Sequence, residues 1–124
     1  MKKTGLFVAV SCLVSLLLLS ICHAKSLELI IEDFSGADNG YMIRFSVRNN
    51  YTYDRNPIVA FKILDGDTPL ACKQIALKVA KGADGSKVHE TKIDAPPREG
   101  VILESRIFER VRRNRVGGWF ADCP

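Results

Sequence analysis

Tyr41-Met42-Ile43-Arg44-Phe45-Ser46-Val47-Arg48 alternates core-seeking and solvent-seeking residues without a break. That is the period at which successive side chains of a β-strand face opposite sides of a sheet. Tyr41, Ile43, Phe45 and Val47 form a core face, and Met42, Arg44, Ser46 and Arg48 form a basic solvent face. Upstream, Leu27, Leu29 and Ile31 alternate with Ser26, Glu28 and Glu32, and Ser35 to Gly40 reads as a turn. It ends in Asn39-Gly40, a pair that tolerates left-handed backbone. Downstream, Asn49 to Pro57 is a polar loop. Ile58 to Leu64 is then apolar at nearly every position except Lys62, as expected for a strand near the middle of a sandwich.

Further out the pattern persists with one ambiguity. Asp65-Gly66-Asp67-Thr68-Pro69 is a turn, and Leu70 to Lys81 fits two readings. Thr68 as a cap, Pro69 at a first helical position, Gly82 past the end and the row Cys72, Ile75, Ala76, Val79 suit a short helix near 69–81. At period two, Ala71, Ile75, Leu77 and Val79 share a face interrupted by Lys73, and the strand neighbours favour this reading. Gly82 to Ser86 is a loop, Val88 to Ile93 a short strand, and Ala95 to Gly100 a connection containing two prolines. Val101, Leu103, Ile107 and Val111 then form one face of a long strand; Glu104, Arg106, Arg110 and Arg112 form the other. Turn signals recurring about every 8 to 15 residues predict an all-β fold: one antiparallel β-sandwich over residues 25–124.

Val47-Arg48-Asn49-Asn50 followed by Ile58 to Phe61-Lys62-Ile63-Leu64-Asp65-Gly66 resembles the bacterial envelope β-sandwich domains called FxLYD. There a strand ending in Asn precedes a strand reading Phe-x-Leu-Tyr-Asp and a glycine turn. Phe61 and Asp65 match, Ile63 is a mild substitution, and Leu64 stands where the family has Tyr. The resemblance is confined to residues 47–66 and implies an immunoglobulin-like fold. It carries over no catalytic residue, since the family has none in common.

Met1-Lys2-Lys3 is basic, Leu6 to Ile21 is apolar, and Cys22-His23-Ala24 has small residues where a signal peptidase requires them. This is the layout of a secretory signal peptide over residues 1–24, so the protein is expected to be exported, periplasmic or secreted. An uncleaved anchor and lipidation at Cys22 are the alternatives; Ile21 fits poorly before a lipidated cysteine. Removing 24 of 124 residues leaves 100, with 16 Lys+Arg against 14 Asp+Glu. The mature domain is therefore nearly neutral and has no transmembrane segment.

Cleavage also removes Cys12 and Cys22, so Cys72 and Cys123 are left to pair in an oxidising compartment. The closed loop of about 50 residues corresponds to about 4 kcal/mol in the chain-entropy model.

Catalytic chemistry finds little support. The mature chain has one histidine, His89, in a polar segment, and bridged cysteines leave no thiol nucleophile. Asp65-Gly66-Asp67 reads as a turn rather than a calcium site, and no cofactor or metal ligand set stands out. Asn50-Tyr51-Thr52 is a glycosylation acceptor by sequence, which matters only in a eukaryotic secretory pathway. The unusual composition lies between Arg98 and Arg115, where 18 residues hold six of the nine arginines. One reading is a solvated strand face paired with Glu99, Glu104 and Glu109. The other is a contact surface for an anionic partner made by Arg106, Arg110, Arg112, Arg113 and Arg115, since Arg forks match carboxylates and phosphates. Nucleic acid is not expected without aromatic residues interleaved in the basic stretch. Trp119 beside Gly117-Gly118 is expected to pack against the disulfide.

Taken together, these residues predict a small exported, non-enzymatic binding or envelope-accessory module. The alternative is a secreted inhibitor or toxin-like effector acting through its Arg-rich strand or Trp tail. Intact mass of the exported protein is expected to show a chain beginning at Lys25. A species keeping Met1, or carrying diacylglycerol on Cys22, would overturn cleavage after Ala24.

Overall fold

The computed structural model describes residues 26–109 and 117–124. The signal segment 1–24, Val111 and four of the arginines named above (Arg110, Arg112, Arg113 and Arg115) lie outside the described residues. Six strands run in chain order: β1 (Leu27–Ala37), β2 (Gly40–Asn49), β3 (Ile58–Asp65), β4 (Thr68–Ala76), β5 (His89–Asp94) and β6 (Ile102–Phe108). They form two three-stranded sheets, β1-β2-β5 and β4-β3-β6, antiparallel at every pairing. The fold is an all-β sandwich.

The two strands read most clearly from sequence, β2 and β3, are the central strands of their sheets. Ile43, Phe45 and Val47 face Val59, Phe61 and Ile63 in one core, with Ala71 of β4 and Ile93 of β5 at its flanks. The Phe45 and Phe61 rings meet edge to face, 5.2 Å between centroids, across the two sheets. That geometry sets the electropositive ring edge against the partner's face.

Two local readings change and one ambiguity is resolved in favour of the strand. The first turn is shorter than six residues: β1 continues to Ala37, which pairs with Gly40, and only Asp38 and Asn39 lie between. Asn39 takes the left-handed φ of 60°. A Cβ on Gly40 would collide with the Ile93 carbonyl of β5, so this position requires close backbone approach. Second, β1 carries a bulge between Ile31 and Asp33. The extra residue reverses the alternation, so Phe34 returns to the core side and stacks on Tyr41 at 5.4 Å. Third, residues 68–76 are strand β4, and the short-helix alternative is overturned there. Lys73, which interrupts its apolar face, sends its ammonium out to donate to the Lys92 carbonyl at 2.9 Å. Pro69 is accommodated because β4 is an edge strand.

Loops are tied down by buried polar side chains. The Asn49 side chain is 1% exposed; its Nδ2 donates to the carbonyls of Tyr53, Val79 and Ala80, and its Oδ1 accepts from the Tyr51 amide. It thereby holds the β2–β3 loop to the segment after β4. The Tyr41 hydroxyl donates to the Arg98 carbonyl and accepts from the Arg98 amide, pinning the proline connection before β6.

Phe61 is fully buried, and truncation leaves a cavity that the rigid sheets cannot close. Phe61→Ala is expected to lower unfolding free energy by about 3 to 5 kcal/mol in urea denaturation. A loss under about 1 kcal/mol would show that the two sheets do not meet on this ring.

Candidate functional site

In a two-layer sandwich one face of each sheet has no partner sheet. For β1-β2-β5 that outer face is charged and mostly solvated: Arg44 pairs with Glu90 at 3.2 Å and Arg48 with Glu28 at 3.3 Å, all four side chains about half exposed. The outer face of β4-β3-β6 differs. Residues facing outward from β3 include Ala60, which is fully buried, and Lys62, which is 6% exposed. Their cover is the C-terminal segment Gly117–Pro124.

Three contacts hold that cover. Trp119 and Phe120 pack on a small cluster of Ala60, Phe108 and Ile58, separate from the main core. The Trp119 ring meets Phe108 edge-on at 6.2 Å and Phe120 at 4.9 Å. The Lys62 ammonium lies 4.4 Å from the Trp119 ring centroid and donates to the Asp122 carboxylate at 2.8 Å. Cys123 is bridged to Cys72, with 6.0 Å between Cα atoms. Lys62 and Cys72 are register partners on adjacent strands. Two consecutive residues of the segment, Asp122 and Cys123, thus engage two side-by-side residues of the sheet.

The contacts have the expected electrostatic sign. The hydrogen bond from Lys62 holds the Asp122 carboxyl below the usual aspartate range. A carboxyl depressed by folding adds stability above its unfolded range, and that stability is lost as acid protonates it. Trp119 contacts Phe108, Phe120 and Lys62, and Lys62 is the register partner of the bridged Cys72.

Of the expected arginine contact residues, Arg106 alone is described. It lies on the outer face opposite Ala60 of β3, is exposed, and holds its guanidinium carbon 5.7 Å from the Phe108 ring centroid. Leu103 and Ile107 face the core as expected. Phe108 shares the arginine face and is buried beneath Trp119. That face is therefore partly covered at its Phe108 end, while Arg106 on it stays exposed.

Glu109 also takes an unexpected role. Its carboxylate accepts from the Tyr51 hydroxyl at 2.8 Å and from the Leu27 amide at 3.1 Å, and its carbonyl accepts from Arg55 at 2.9 Å. Arg55 lies over the Tyr51 ring at 4.2 Å. Donating to Glu109, with burial second, raises the Tyr51 hydroxyl above its ordinary value. This cluster joins the start of β1, the β2–β3 loop and the end of β6.

No protein-family model, curated protein or solved structure matches this chain. His89 is half-buried and stacks on Phe45 at 5.3 Å, where burial first and the Lys87 charge second lower its proton affinity. It closes one end of the core and is less solvated than its polar neighbours suggest. Asp65 ends β3 and pairs with Thr68, and Gly66, at φ 62°, and Asp67 form the two-residue turn between β3 and β4. Asn50 is exposed beside Ser26.

Sequence reading missed Lys62, Asp122 and Glu109 as members of a site. The single cation inside an apolar run was the available signal for Lys62, because a buried ammonium requires a partner.

The bridge closes a loop of 51 residues. Cys123→Ser is expected to lower unfolding free energy by about 2 to 5 kcal/mol, read by urea denaturation. Thiol labelling of the denatured, unreduced protein is expected to find no free sulfhydryl at Cys72 or Cys123. Two reactive thiols would overturn the pairing.

Proposed function

We propose that the chain is an exported, non-enzymatic binding module with an immunoglobulin-like sandwich, and that its arginines contact an anionic surface of the cell envelope. The observation that carries the reading is Arg106. Its guanidinium is exposed on a face that the Cys72–Cys123 bridge and the Trp119 cover hold in a fixed form. A cation on such a frame loses little freedom when it meets a phosphate or carboxylate. Arg110, Arg112, Arg113 and Arg115 follow in sequence and extend the positive charge.

The non-enzymatic part rests on what the titratable groups do. Among the described residues, Tyr51, Asp84 and Asp122 owe their displaced proton affinity first to a hydrogen-bonded neighbour (Glu109, Ser86 and Lys62), and His89 owes its own first to burial. Glu109 joins loops to strands, His89 stacks on the core, and Lys62 anchors the C-terminal segment. Trp119 is half-buried over Lys62, which supports the module over an effector that inserts its Trp tail. Among the described residues no helix is long and apolar enough to cross a membrane, so contact through surface arginines suits an envelope role.

Replacing Arg106, Arg110 and Arg112 together with Ala tests this. Near an anionic surface each arginine contributes about 1 kcal/mol, so vesicles containing phosphatidylglycerol are expected to bind the triple variant on the order of a hundredfold more weakly. Binding of the parent protein is expected to fall with salt, and its thermal midpoint to match the variant's closely, since exposed pairs contribute little. Equal vesicle binding by parent and variant would return the arginines to a solvated face.

A further inference from the structure

The cover on the outer face of β4-β3-β6 is attached differently from every other part of the fold. Its backbone hydrogen bonds, Ala121 amide to Gly118 carbonyl and Cys123 amide to Phe120 carbonyl, are internal turns. Among the described residues it therefore meets the sheet through side chains. The noncovalent contacts are the Trp119 and Phe120 cluster, the Lys62 ammonium against the Trp119 ring, and one ion pair in which Lys62 is buried while the Asp122 side chain is 59% exposed. Because the Asp122 carboxylate stays in water, the net gain from that pair is small. The cluster beneath the cover is separate from the core between the sheets, so lifting the cover leaves Phe45, Phe61 and Ile63 packed. What remains is the bridge. Cys72 sits on an edge strand and both cysteines are partly exposed, so the bridge lies at the rim of the sheet and not inside the core, where a thiolate would have to enter the fold to reach it.

We infer that the Cys72–Cys123 bridge is a redox latch: its reduction frees Gly117–Pro124 from the outer face while the two-sheet core stays folded. The reductant is a dithiol. Its thiolate attacks one sulfur of the bridge and forms a mixed disulfide, releasing the other cysteine as a thiol. Its second thiol then displaces the remaining cysteine. The protein gains two electrons and two protons as two thiols, and the dithiol becomes a disulfide.

Release changes the character of that face. Ala60 and Phe108 lose their cover, and Lys62 loses both its carboxylate and the indole. A buried, paired cation becomes an ammonium in water at the centre of an apolar patch, so the oxidation state sets which surface the protein shows. The latch requires no anionic partner and stands whether or not the arginines bind one.

Trp119 is the only tryptophan in the chain, which makes its emission a direct report on the cover. On treating oxidised, purified protein with dithiothreitol, emission is expected to shift to longer wavelength and acrylamide quenching to rise. Both are expected to reverse on reoxidation. Far-UV circular dichroism and amide-exchange protection at Ile43, Phe45, Phe61 and Ile63 are expected to hold throughout. The double variant Cys72→Ser, Cys123→Ser is expected to show the reduced emission from the start and to ignore dithiothreitol. Unchanged Trp119 emission on reduction would overturn the latch by showing that the noncovalent contacts suffice. Loss of sheet signal together with the shift would overturn it by making the bridge a staple of the whole fold.

Discussion

Lys62 places an ammonium on the outward face of a central strand, where it is 6% exposed. Leaving such a charge buried and unpaired costs several kcal/mol, whereas the net gain of a buried pair is small. The surrounding structure satisfies that demand from three directions. The Asp122 carboxylate accepts its proton donors, the Trp119 ring offers its electronegative face, and the bridge at the neighbouring register position keeps both in reach. The aromatic cluster on Phe108 supplies the apolar area, and the cation decides where that area docks. A leucine at position 62 would bury as well, but the position of Asp122 and the Trp119 ring on the face would then rest on the bridge and apolar contact alone.

The two outer faces follow opposite rules for this reason. On β1-β2-β5, charged residues pair across strands and remain in water, and the cover is confined to the loop around Gly85, which lies over Ile30 and the buried Ser46. On β4-β3-β6, the apolar residues of β3 occupy both faces, so one face joins the core and the other requires a third, partial layer. A strand apolar on both faces signals two-sided burial, and in a two-sheet fold its second cover must come from a loop or a terminus.

Much of this was legible in the chain and some could not be. The alternation of Tyr41 to Arg48 and the unbroken run of Ile58 to Leu64 identified the two central strands, because hydrophobic period depends on burial and little else. The cysteine pairing was legible through counting. The bulge in β1 was not, although Ile31 and Phe34, three apart and paired with Phe45 and Ile43 of β2, carry its trace. Thr68, Pro69 and Gly82 are sound helix signals, but local caps are worth about 1 kcal/mol each, and pairing with β3 outweighed them. Contacts such as Lys62 with Asp122, 60 residues apart, or Glu109 with Leu27, 82 apart, have no local signature. Only the folded topology brings these partners together.

The polar inventory bears on where recognition can reside. Asn49, Tyr41, Glu109 and Lys62 make the buried or partly buried hydrogen bonds that fix loops and the C-terminal segment to the sheets. A group held this way has its hydrogen-bonding capacity committed, and a ligand could take it only by unfastening part of the fold. On the binding-module reading, contact falls to side chains whose charge is still in water, among them Arg106. Contacts between hydrated charges are screened within about 8 Å at physiological ionic strength. On the binding-module reading, affinity therefore comes from the number of arginines that reach one anionic surface together, and the frame contributes by keeping their base fixed.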